Sequence, residues 1–126
     1  MNGRVRTFAA LAMLALFAAC DSGPEGPGAL TGRVTGEDLG AVLIEVVGPG
    51  ITGFEALGST QVYAAAVADE VDTHRVVLVS PQTGELTFHI QVEDRAMEGP
   101  VITVLQAALG DNRAVSAAVA TVTVER

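Results

Sequence analysis

Chemistry in this chain would have to come from one cysteine, two histidines, a few serines and a short acidic run. The acidic run is Asp69, Glu70 and Asp72, within "ADEVD". Carboxylates this close can attract Ca²⁺. A tight site needs about six to eight oxygens around the ion, and the run has neither EF-hand spacing nor the glycine such a loop uses. It reads as a solvated acidic turn. His74 and His89 are distant from each other, whereas zinc takes about three or four ligands at recognisable spacing. Ser22, Ser59, Ser80 and Ser116 lie in no GxSxG elbow. No glycine pattern opens a helix to cradle phosphate. Glu37-Asp38 and Glu93-Asp94 fall on short loops and read as solvated charge, not as an acid–base pair. These residues predict no catalytic group, no metal and no cofactor, and the chain is not expected to be an enzyme.

Cys20 calls for another explanation. Arg4 and Arg6 precede a charge-free run from Phe8 to Ala19, and the cysteine follows at once. As a helix the run would rise about 18 Å, short of the roughly 30 Å hydrocarbon core of a bilayer. A basic start, a short apolar stretch and small residues at its end predict a secretory signal over residues 1–19. A nucleophilic thiol would want a positioned base and an electropositive pocket. The residues after Cys20 are Asp21 and then "SGPEGPG", a flexible tether ending at Gly28. The stretch Leu16-Phe17-Ala18-Ala19-Cys20 resembles the lipobox of bacterial lipoproteins. Phe17 stands where that family prefers an aliphatic residue. The resemblance implies cleavage before Cys20, a diacylglyceryl group on its thiol and often an acyl group on the new amino terminus. Each buried CH₂ contributes about 0.8 kcal/mol, so two or three chains would hold the protein firmly. The first expected partner is therefore membrane lipid through Cys20, and the expected location is the bacterial cell envelope.

Removal of residues 1–19 leaves 107, enough for one domain with a real core. With no second cysteine, that core must hold by packing. The chain has seven arginines and no lysine against fifteen carboxylates, a net charge of −8 that deepens to −10 once Arg4 and Arg6 are removed. Such a surface repels phosphate backbones, which excludes nucleic acid as a partner. After Cys20 the only aromatics are Phe54, Tyr63 and Phe88. Carbohydrate faces and binding hot spots usually use more.

The elements that must carry these residues are strands. In "ELTFHIQVE", residues 85–93, Leu86, Phe88, Ile90 and Val92 alternate with Thr87, His89, Gln91 and Glu93. Period two predicts a strand with one buried face, Phe88 and Ile90 inward, His89 and Gln91 outward. "HRVVLVS" at 74–80 precedes it across "SPQTGE", and the pair is expected to form a hairpin. Further strands are expected at 29–36 and 41–50, the latter with Val42, Ile44 and Val46 on one side, and at 59–70. "ITGFEAL" is a short strand or irregular piece. The tail, from Gly99 on, reads as a long hairpin turning at Gly110-Asp111-Asn112, with a helical turn conceivable at 106–109 and another at 94–99.

Seven or eight strands spaced about ten residues apart predict an all-β fold, a single antiparallel β-sandwich over residues 29–126. The segments "AVLIEVVGPGI", "VVLVSPQTGELTFHIQV" and "VLQAALGDNR" resemble the cohesin-like and immunoglobulin-like sandwiches of bacterial surface proteins. That resemblance implies a structural or interaction module, docking a protein partner by a sheet face or edge strand. The alternative is a small-ligand or carbohydrate-binding domain of the envelope.

Overall fold

The computed structural model describes residues 25–126, so the signal at 1–19, Cys20 and the start of the tether lie outside the described residues. Nine strands follow one another: β1 (Gly28–Thr35), β2 (Leu39–Val47), β3 (Ile51–Ala56), β4 (Gln61–Ala66), β5 (Thr73–Val79), β6 (Leu86–Val92), β7 (Val101–Leu109), β8 (Ala114–Val115) and β9 (Thr121–Glu125). They form two antiparallel sheets packed face to face, a four-stranded one in the order β3-β6-β1-β9 and a five-stranded one in the order β4-β5-β2-β7-β8. The fold is an all-β sandwich.

Alternating apolar residues build the core. Leu30 and Val34 of β1 and Leu86, Phe88, Ile90 and Val92 of β6 face Val42, Ile44 and Val46 of β2 and Val76 and Leu78 of β5. Phe88 is fully buried. Its ring occupies the space beside Gly32 on the neighbouring strand, where a Cβ would lie 2.4 Å from the ring. Glycine at position 32 is thus a packing requirement. Fully burying side chains of this size contributes about 1.5–3 kcal/mol each, and with no disulfide in the described domain this packing is what holds it together.

Two expected pairings are overturned. The strands at 74–80 and 85–93 do not form a hairpin. β5 lies between β4 and β2, and β6 lies between β3 and β1 in the other sheet. The "SPQTGE" loop carries the chain across the end of the sandwich. Ser80 N–H donates to Gly40 C=O and Gly84 N–H to Leu39 C=O, which ties the crossing to the start of β2. Both strands bury every second residue in one core, and they do so from opposite sides.

The long C-terminal hairpin is likewise broken. β7 pairs with β8 only at Ala107↔Val115 and Ala108↔Ala114. Ser116 Oγ then accepts from Ala118 N–H and starts a 3₁₀ turn over Ala117–Val119. The chain thereby changes sheet, and β9 adds to the edge of β1 from Thr31↔Glu125 to Thr35↔Thr121. Val122 and Val124 pack on the core from there. No helical turn forms at 106–109, because Ala107 is buried and the segment stays on the β2 ladder. Residues 94–99 form a turn, Met97 N–H to Asp94 C=O, and no helix. The strand beyond the seven or eight expected is the two-residue β8.

Candidate functional site

Among the described residues, the side chains that could do chemistry do not converge. Asp69, Glu70 and Asp72 form the tip of the β4–β5 hairpin, which the bond from Val67 N–H to Thr73 C=O closes. Asp69 and Asp72 have φ of 66° and 55°. Aspartate is among the few residues that tolerate this left-handed region, which gives the acidic run a turn-forming reason. Among the described residues no three His, Cys, Asp or Glu side chains gather as a metal-holding group.

His74 is half-buried in β5, edge-on to the Phe54 ring at 5.4 Å. His89 sits on the outer face of the other sheet, in register with Thr31 and Glu55. The two histidines therefore serve different sides of the sandwich. Ser80 Oγ accepts from Gln82 N–H and Ser116 caps the 3₁₀ turn, so both hydroxyls shape loops. Asp94 Oδ1 accepts from Glu25 and Ala96 N–H, which fastens the end of the tether to the β6–β7 loop. Asp38, with φ of 55°, shapes the β1–β2 turn.

What does stand out is a surface. On the four-stranded sheet the outward positions are Thr31, Arg33 and Thr35 of β1, Thr87, His89 and Gln91 of β6, and Thr121, Thr123 and Glu125 of β9. Arg33 Nε lies 2.8 Å from Glu85 Oε1, off the N–H axis, an ion pair and not an aligned hydrogen bond. Gln91 Nε2 donates to Glu55 Oε2 at 3.4 Å. This face is polar from edge to edge.

The five-stranded sheet is different. One outward row runs Tyr63–Val77–Leu43–Gln106 and the next Gln61–Val79–Ala41–Ala108. A register shift between Leu43 and Ile44 leaves Leu105 as an extra residue of β7, a bulge that pushes its side chain onto this face. Of the seven large apolar residues exposed among the described residues, Val47, Tyr63, Val77, Val101 and Leu105 belong to this sheet and none to the outer face of the other. Ala41, Leu43, Val77, Leu105, Ala108 and Val115 line an open hollow of about 540 Å³. An ion pair on the face, Arg75 to Glu45 at 3.7 Å, lies one row away.

Acidic loops lie at both ends of this sheet's central strand β2. At the β2 start, Asp38 C=O accepts from Gly110 N–H, which brings Glu37 and Asp38 beside Asp111. At the β2 end, Gly48 N–H donates to Asp72 C=O, which brings in the acidic hairpin tip. The Arg113 backbone N–H, with help from its guanidinium 2.8 Å away, holds the Asp111 carboxyl below the usual aspartate range.

No motif marks this face in the sequence, although the strands carry a signal for it. "AVLIEVV" and "RVVLV" carry apolar residues at outward as well as inward positions. A strand that is apolar on both sides expects to be covered on both. Compared with protein-family models, curated proteins and solved structures, the chain matches none.

Proposed function

We propose that this chain is an exported lipoprotein of the bacterial cell envelope, acylated at Cys20, whose sandwich is a non-catalytic interaction module. Its partner is a protein that docks an apolar segment with basic flanks on the outer face of the five-stranded sheet. The observation that carries this reading is the apolar hollow around Leu43, Val77 and Leu105, on a sheet whose central strand β2 has acidic loops at both ends. Exposed apolar patches of this kind mark interaction sites more often than they arise by chance. These acidic loops favour a basic partner and raise its encounter rate. The lone cysteine behind a charge-free run, with small residues before it, supports the anchor.

Two experiments test the two halves. Labelled fatty acid should enter the wild-type protein and not Cys20→Ser; equal labelling overturns the anchor. A photo-crosslinking residue placed at Leu43 in living cells should give a discrete protein adduct, and the same residue at Thr87 on the polar face should not. Equal adducts from both faces, or glycan binding at the Leu43 face on an array, overturns the docking reading.

A further inference from the structure

We propose that β4 is a self-pairing edge, joining two copies of this chain into one continuous sheet about a twofold axis through Ala64. The surface is the rim of the five-stranded sheet, so the proposal stands or falls independently of any partner on its outer face.

The bond from Val67 N–H to Thr73 C=O identifies Val67↔Thr73 as a hydrogen-bonded pair. Such pairs recur at every second residue of an antiparallel ladder, so Ala65, Tyr63 and Gln61 spend their backbone groups on β5. The N–H and C=O groups of Val62, Ala64 and Ala66 point the other way. They have no backbone partner among the described residues, and Ala64 and Ala66 are exposed.

Exposed edges normally carry a charge, a proline, a bulge or a very short strand that blocks further pairing. The other three edges do. β3 has a register break before Gly53 and carries Glu55, β9 ends in Glu125, and β8 is two residues long. β4 has none of these: residues 58–68 contain no charge and no proline.

A second copy fits this edge in one register. With Ala64 opposite Ala64 of the partner copy, Val62 meets Ala66 and every free N–H and C=O of the three residues is used. Tyr63 then lies across from Ala65, a large side chain over a small one. The charges decide between orientations. In the antiparallel arrangement Asp69 and Glu70 fall beside the uncharged Ser59 and Gly58 of the other copy, and the two acidic tips sit at opposite ends. A parallel arrangement would bring the tips together in a chain of net charge −8. Six residues make a small interface, so the dimer is concentration-dependent.

The test uses the full chain in detergent, with Cys20→Ser removing the natural thiol. Ala64→Cys should cross-link to itself under mild oxidation, since hydrogen-bonded pairs hold Cα atoms about 5.5 Å apart. Gln61→Cys should not, because its copies would lie about 20 Å apart. Sedimentation over a concentration series should show reversible dimerisation. Ala64→Asp should weaken it about tenfold or more by setting like charges opposite one another, with the unfolding midpoint unchanged. Equal cross-linking at 64 and 61, a monomer at every concentration, or undiminished dimerisation of Ala64→Asp would each overturn the proposal.

Discussion

The two outer faces of this sandwich rest on one shared core yet carry opposite surfaces. On the four-stranded sheet, threonines, His89, Gln91 and the Arg33–Glu85 pair cover the outside. On the five-stranded sheet, Leu43, Val77 and Leu105 surround a hollow. Solubility alone would make both faces polar, as the first one is. A chain that keeps fifteen carboxylates still leaves one face apolar, and this contrast is what motivates the docking proposal. The lesson is that one core can carry two unlike faces, so the character of a face is set by the outward positions of its strands alone.

The comparison can be broken from the inside. Phe88 supports both sheets, so Phe88→Ala should destabilise the whole domain by about 3–5 kcal/mol. Urea unfolding followed by probes on each sheet should show one transition moving as a unit. Two separate transitions would mean that the faces do not share a core.

A second experiment acts on the apolar face alone. Leu43→Asp should weaken capture of the docked protein by about 30-fold, as expected for a central contact residue worth about 2 kcal/mol. Thr31→Asp on the polar face should leave binding unchanged. A loss of binding at position 31 equal to that at 43 would dissolve the distinction.

Smaller effects sharpen it further. His89→Ala, one residue from Phe88 but on the polar side, should change stability by only about 0.5 kcal/mol or less in the same urea assay. A loss near that of Phe88→Ala would show that His89 bears on the core after all.

The smallest effect concerns Asp111 in the acidic loops at the start of β2. Its folded-state carboxyl titrates below the ordinary value of 3.8, so its contribution to stability is present above that value. The contribution is lost as pH falls through the lower folded value. The carboxyl is exposed, and the effect belongs to the titration curve more than to the unfolding midpoint. NMR titration should place its midpoint below 3.8. Arg113→Ala should leave part of the depression, because the backbone N–H of residue 113, its largest single cause, is kept. Full return to the ordinary value in that variant would assign the shift to the guanidinium instead.

Much of the fold was legible in the residues. The alternation over 86–92 identifies Phe88 and Ile90 as core, and both are fully buried. Val42, Ile44 and Val46 follow the same rule. The candidate surface was legible only in outline. The apolar runs at 41–44 and 76–79 put apolar residues on both sides of β2 and β5, with only Glu45 and Arg75 to mark the outer side. The bulge at Leu105 left no mark in the sequence, since nothing about "TVLQAA" distinguishes a residue on the ladder from one pushed out of it.

By itself, residue order determined local matters: strand periods, inward positions, the acidic turn and the charge-free segment ahead of Cys20. These depend on side chains a few positions apart, where steric preference and hydrophobic period act directly. Only the tertiary structure decided which strands became neighbours. A half-buried strand satisfies its period equally well beside its predecessor or across the core from it. Long-range pairing settles it for β5 and β6: β5 pairs with β4 and β2, and β6 with β3 and β1. The same long-range pairing took β9 to β1, stopped β8 at two residues, and left β4 as an open edge.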